Sequence, residues 1–256
     1  MELLISLGAC AVVMTVLWAW QIRSKRADWV DAAWAVLIGL QAIAFAVVAD
    51  GAVEKRVLGA LLAVTWSSRL AAHLIQRLSG HDGEDGRYQA MREHFGERAN
   101  AFFFFFFLVQ AIVAWLFALP AWVVVNDPHA ALDAWVLAGV AVWFISLAGE
   151  SLADRQLAAF KADPSKRGKV CRVGLWRYSR HPNYFFEWLH WFSYPLVAIG
   201  APNQWVAWLG PVVMLLFLYR VSGIPYTERQ SLKSRGDAYR EYQRTTSPFI
   251  PWPPKD

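Results

Sequence analysis

The residues able to do chemistry in this sequence are few, and they fall at helical spacings. Arg69, His73 and Arg77 follow at i, i+4 and i+8, so on a helix they share one face. Glu150 and Asp154 stand four apart, and Asn183, Glu187 and His190 stand at i, i+4 and i+7. Asp28 and Asp31 lie just ahead of Trp34. The richest stretch reads Gly174-Leu175-Trp176-Arg177-Tyr178-Ser179-Arg180-His181-Pro182-Asn183-Tyr184-Phe185-Phe186-Glu187-Trp188. Pro182 suits the first turn of a helix, and Arg177, Arg180 and His181 precede it. Cationic side chains beside the free N–H groups of a helix N-terminus form a phosphate-binding arrangement. Asn183 then offers both a donor and an acceptor to an amide-bearing ring. Lys161, Lys166, Arg167 and Lys169 upstream are either further phosphate ligands or a solvated basic loop. Each group also has a plainer reading. Asp28 suits an N-cap, Arg77 a snorkelling cation, Glu187 a buried salt bridge, and His73 and His190 satisfied interior histidines. There is no Gly-x-Gly-x-x-Gly run and no P-loop, which excludes the usual Rossmann and Walker sites. The histidines lack zinc-ligand spacing, so no metal is expected.

The elements that must hold these groups are membrane helices. Of 256 residues, 57% are hydrophobic and 18% charged, against about 45–50% and 25% in soluble domains. Fifteen Trp and sixteen Phe are more apolar surface than a soluble fold of this size hides. A spanning helix needs about 20 mostly apolar residues. Seven runs qualify, at about 3–22, 30–49, 57–76, 102–125, 133–151, 184–200 and 203–222. The first run lacks a basic region ahead of it and reads as a retained helix rather than a cleaved signal peptide. The net charge of +5 follows from the loops: with seven spans, 22 of the 25 Lys and Arg fall on one side. Only Lys55 and Arg56 fall on the other, with Arg69 inside a span. The positive-inside rule then puts the N-terminus outside and the C-terminus in the cytosol. The basic charge is thereby explained without nucleic acid. Cys10 in an apolar run and Cys171 in a polar loop give no disulfide framework. The expected fold is an all-α polytopic membrane protein with seven transmembrane helices.

Three groups of residues carry a resemblance. Ser179-Arg180-His181-Pro182-Asn183-Tyr184-Phe185 with Glu187 resembles the signature of the steroid 5α-reductase family, in its bacterial branch. Trp66-Ser67-Ser68-Arg69-Leu70 and Gly83-Glu84-Asp85-Gly86-Arg87-Tyr88 resemble that branch's third helix and following loop. Ser222-Gly223-Ile224-Pro225 and Tyr239-Arg240-Glu241-Tyr242 with Ser247-Pro248-Phe249 resemble its C-terminal end. The likeness covers about residues 28–254. It implies one membrane-embedded reductase domain over 1–256, with substrate-pocket helices in about 1–125 and a cofactor-binding half in about 133–256. It implies NADPH bound from the cytosolic side, a lipid-like substrate, and a place in the bacterial inner membrane.

By the same resemblance, Asn183 and Glu187 contact the nicotinamide end, Glu150 and Asp154 form the polar pair of the fifth helix, and Arg69 is the helix-three arginine. Many relatives have Asn where this chain has Glu150. Lys166, Arg167, Arg177, Tyr178, Arg180, His181 and Tyr184 complete the cofactor set. The implied reaction is reduction of a carbon–carbon double bond conjugated to a ketone, with 3-oxo-4-ene steroids as the expected substrates. It needs a donor to the carbonyl oxygen. The family's helix-three Tyr position is Trp66 here, and the segment after Ser222 lacks the family's His. Candidate donors are therefore Tyr88, His73 and Tyr226, with Asp28 and Asp31 to orient such a donor. The strongest rival is an S-adenosylmethionine-dependent membrane methyltransferase of isoprenylcysteine or phospholipid type. It shares the Arg-His-Pro-x-Tyr segment and a later acidic position that matches Glu228.

Overall fold

A computed structural model describes residues 1–80, 83–221 and 223–255; Ser222 of the C-terminal likeness lies outside the described residues. Every regular element among these is a helix. Six are long and apolar enough to cross a membrane: Glu2–Ser24, Trp29–Val48, Val53–Ser79, Gly86–Val125, Ala134–Ala162 and Gln204–Arg235. The chain divides into two compact units, residues 1–131 with 200–207, and residues 132–199 with 208–256.

The first unit is built on α1 (Glu2–Ser24), α2 (Trp29–Val48), α3 (Val53–Ser79), the short α4 (Gly86–Phe95) and α5 (Ala99–Val125). α2 and α3 approach closely because Gly39 carries no side chain: a Cβ there would lie 2.5 Å from Ser67 Oγ. Ser67 Oγ instead donates to Ala35 O at 2.6 Å. Indole N–H groups tie α1 to α5: Trp18 donates to Asn100 O, Trp115 to Leu3 O and Trp122 to Glu2 Oε1. At the end where α2 and α5 stop and α3 begins, Lys55 and Asp127 form an ion pair of 2.7 Å. Their side chains are only 3% and 1% exposed, and His129 Nδ1 approaches the same carboxylate at 2.8 Å. α4 is polar and starts at Asp85, whose Oδ1 accepts from Arg87 N as an N-cap.

The second unit holds α6 (Ala134–Ala162), α7 (Pro182–His190), α8 (Ser193–Val197), α9 (Leu209–Leu216), α10 (Ile224–Arg235) and α11 (Asp237–Thr245). α6 runs three turns beyond the expected end at 151, because Arg155–Ala162 contains good helix formers although it is not apolar. The run expected as one span over 184–200 is two short helices. Pro195 has no N–H and its ring would clash with the carbonyl of Trp191 in a continuous helix, and the chain bends at Trp191 and Phe192. Ser193 Oγ caps the break by donating to His190 O at 2.7 Å. The last span is also irregular, with a 3₁₀ entry at Gln204–Trp208 and a π-turn over Phe217–Val221. α6 packs on α7 through Gly149, where a Cβ would sit 2.4 Å from the Phe186 ring.

Candidate functional site

In the first unit, polar groups converge from four elements. Asp31 on α2 accepts the Tyr88 O–H at 2.7 Å and Arg87 Nη2 at 2.9 Å. Asp28, almost fully buried, accepts from Arg26 Nε at 3.0 Å and Asp85 N at 3.0 Å. Arg77 at the end of α3 reaches Asp85 Oδ2 at 3.4 Å. Glu84 accepts from Ala27 N and pairs with Arg92, which also donates to Gln21 Oε1. The loop 83–88 is thus stitched to the end of α1, the start of α2 and the end of α3. A cleft of about 250 Å³ opens here, lined by Asp28, Arg77, Leu78, Gly83, Glu84, Asp85 and Gly86. Burial opposes ionisation of Asp85, but the Arg87 hydrogen bonds and the Arg87 and Arg77 charges outweigh it and hold its carboxyl below the ordinary range. Tyr88 is buried, with its ring against Phe103 and Phe106 of α5. Of the two acids that could orient a donor, Asp31 bonds Tyr88, whereas Asp28 is taken up by Arg26 Nε and Asp85 N. His73 is exposed on α3, away from such company, and Arg69 is half-buried one turn before it. Arg87 was not among the candidates; its place in the Gly83–Tyr88 motif was the available signal.

In the second unit, α6 and α7 bring their polar pairs together. Asn183 Nδ2 donates to Asp154 Oδ1 at 3.3 Å. Glu150 lies buried one turn before Asp154, and Glu187 lies buried one turn after Asn183. Glu187 Oε1 accepts from Trp191 Nε1 at 3.1 Å. His190 is fully buried beside the Trp191 and Tyr194 rings.

The residues ahead of α7 have a different fate from a row of phosphate ligands. Arg180 turns inward: its Nε donates to Glu228 Oε1 at 2.6 Å, and its Nη1 donates to Gln243 O at 3.0 Å and Thr246 O at 2.6 Å. A buried guanidinium needs this full set of partners. His181 Nε2 also faces Glu228 Oε1, at 3.4 Å, and its ring stacks on Tyr184. Burial pushes the His181 imidazole below its ordinary value despite the nearby Glu228 carboxylate. Tyr184 OH meets Thr227 Oγ1 at 3.2 Å. The loop is clamped from behind by the C-terminal segment. Tyr242 O–H donates to the carbonyls of Trp176 and Ser179, Ser179 Oγ to Phe249 O, Arg180 N to Ser247 O, and Trp252 N to Tyr178 O. Gly174 turns the chain with φ of +56°, beside Gln156, whose Oε1 accepts from Leu175 N. Arg167, Arg177 and Tyr178 remain exposed, while Lys166 pairs with Asp163 at 2.9 Å. That Lys166 bond, with Ser165, pulls the Asp163 carboxyl down to about 2. Glu228 and Gln243 anchor this arrangement from 48 and 63 residues away, a separation that no local pattern signals.

Comparison with known proteins identifies the lineage. The family described as "Protein of unknown function (DUF1295)" matches residues 17–246. The chain belongs to this family. The match takes in the Asp31–Tyr88 cluster and both polar pairs of α6 and α7, and it ends just before Ser247, where the C-terminal strap begins. An uncharacterized protein of Schizosaccharomyces pombe is 26% identical, over 94% of this chain and 77% of its own length. No solved structure matches. Among the described residues, no group of three or more His, Cys, Asp or Glu side chains is placed to hold a metal ion.

Proposed function

We propose that the protein is an NADPH-dependent membrane reductase of a carbon–carbon double bond conjugated to a ketone in a lipid-like substrate, 3-oxo-4-ene steroids being the first class to try. In this reading Pro182–Val197 is a seventh, broken crossing, the N-terminus lies outside and the cofactor enters from the cytosol.

The observation that carries the reading is the pair of one-turn polar steps on facing helices, Glu150 with Asp154 and Asn183 with Glu187. Their chemistry fits a nicotinamide. With Asn183 Nδ2 held by Asp154, Asn183 Oδ1 is left to accept from a carboxamide N–H. Arg167 and Arg177 are exposed, with no acidic partner among the described residues, and they suit phosphate oxygens, the 2′-phosphate included. Arg180, His181 and Tyr184 act through position: committed to Glu228 and Thr227, they hold the loop and the first turn of α7. When bound, NADPH supplies the hydride to the β-carbon. The chain supplies the proton side. Tyr88, kept in place by Asp31, turns its O–H toward the substrate carbonyl as negative charge gathers there. His73 and Tyr226 take no part in this version.

A methyltransferase remains the second reading, and one observation favours it: Glu228, the later acidic position, bonds directly to both Arg180 and His181 of the shared segment. Titration of NADPH fluorescence, with S-adenosylmethionine as competitor, separates the two. We expect saturable NADPH binding, weaker NADH binding and no effect of S-adenosylmethionine. Tight S-adenosylmethionine binding without an NADPH response would overturn the reductase. Asn183→Ala and Glu187→Ala should each weaken NADPH binding about tenfold or more, roughly one charge-assisted or neutral hydrogen bond.

A further inference from the structure

Trp34 Nε1 and Gln41 Oε1 are buried and have no hydrogen-bond partner among the described residues. Their polarity cannot be exchanged. Gln41 Nε2 donates to Leu37 O at 3.2 Å and to Ala114 O at 3.4 Å, two carbonyls that accept only, so flipping the amide would set oxygen against oxygen. The indole N–H of Trp34 is a donor by constitution. Trp34 sits against the rings of Trp66 and Phe117, and Gln41 is 5% exposed in the middle of α2. The surroundings are a helix bundle among lipid, where neither water nor acyl chains can satisfy an orphan polar atom. Phe and Leu would fill the same space at no such cost.

The two positions are also ordered. Asp31, Trp34 and Gln41 follow at i, i+3 and i+10 on one face of α2. Asp31 holds the Tyr88 hydroxyl. Trp34 is one turn deeper, and Gln41 lies about 10 Å further along the axis. Going into the bilayer, this face presents a donor and then an acceptor.

We infer that α2 reads the two polar ends of the substrate: Trp34 donates to an acceptor oxygen at the reactive end, and Gln41 accepts from a hydroxyl at the far end. The substrate class is an apolar molecule about two helical turns long, with a carbonyl at one end and a free hydroxyl at the other. The assignment rests on the reductase reading for which end reacts. Trp34 and Gln41 set specificity and have no part in holding the cofactor.

The test uses the full chain in nanodiscs with NADP⁺ present. Binding of tritiated testosterone is compared with that of its 17-deoxy analogue, androst-4-en-3-one. Wild type should favour the hydroxylated compound about tenfold. Gln41→Leu should abolish that preference, and Trp34→Phe should weaken both compounds alike. NADPH affinity should be unchanged in both variants. A preference that survives in Gln41→Leu would overturn the inference. Binding of neither steroid by a wild-type protein that does bind NADPH would remove the steroid as substrate. The inference is then decided by thermal unfolding of the ligand-free variants. Polar atoms kept for a ligand predict that Trp34→Phe and Gln41→Leu unfold at or above the wild-type temperature. A fall of more than about 4 °C in both would show that the fold itself needs them, and would overturn the inference.

Discussion

Two side chains that the sequence offers for the site, Tyr88 as proton donor and Arg180 as cofactor ligand, part company in the structure. Tyr88 is buried and bonded to Asp31, whereas Arg180 is spent on Glu228 and two carbonyls. Removing each should have a different signature. Tyr88→Phe loses only the hydroxyl. Substrate reduction should slow by about 10²–10⁴-fold, the usual worth of a positioned general acid, with NADPH affinity unchanged; wild-type turnover in the variant would transfer the role to another donor. His181 makes a pH prediction. Burial lowers its folded-state value below the ordinary 6.5, so the native form holds it neutral and binds fewer protons than the unfolded chain. Stability is therefore full above pH 6.5 and is lost as pH falls below it. The lowered carboxylates Asp85 and Asp127 also lose stability in acid, but below their ordinary 3.8, outside this window. Thermal unfolding between pH 7 and 5 should drop for wild type and flatten for His181→Asn. An identical slope in the variant would assign the effect elsewhere.

The helices that carry these groups were legible to differing degrees, and the reasons are physical. Apolar length alone marks the four long helices of the first unit, because lipid demands about 20 apolar residues in a row. It says nothing about α4, α10 and α11, which are polar and are defined by caps and by what they clamp. It also overstates 184–200: the run is apolar apart from Glu187 and His190, but Pro195 breaks the backbone ladder. The resemblance put Asn183 and Asp154 in one site, and the polar spacing gave their faces on α6 and α7, without naming the glycine that lets the helices close. That glycine is testable. A Cβ at Gly149 meets the Phe186 ring at 2.4 Å, and Phe186 lies between Asn183 and Glu187 on α7. Gly149→Ala must push α7 outward or turn the ring. The expected cost is about 1–3 kcal/mol of stability, accompanied by weaker NADPH binding although no cofactor contact is touched. Normal affinity together with normal stability would mean that this close approach does not position the site. Gly8→Ala, where no atom lies within 4 Å of the added carbon, is the matched control.

In the proposed topology, charge is what orients the chain as a whole. The basic residues crowd into the segments that also carry the cofactor candidates, while Lys55 and Arg56 stand in the first turn of α3. There Lys55 is neutralised by Asp127 at 2.7 Å, and Arg56 donates to the carbonyls of Ala46 and Val47, so neither cation is left as a free topological signal. In the proposed topology this makes translocation of that end cheap and leaves the positive-inside rule to act on the remaining basic loops. Both native cysteines are buried, which makes labelling straightforward. In a background of Cys10→Ala and Cys171→Ala, a single cysteine is placed at exposed His129 or at exposed Lys169. A membrane-impermeant maleimide applied to intact cells should label His129→Cys at once, and Lys169→Cys only after the membrane is opened. The reverse pattern would put Arg167, Arg177 and the Asn183–Asp154 pair on the side without cytosolic NADPH, and the reductase reading would fall with the topology.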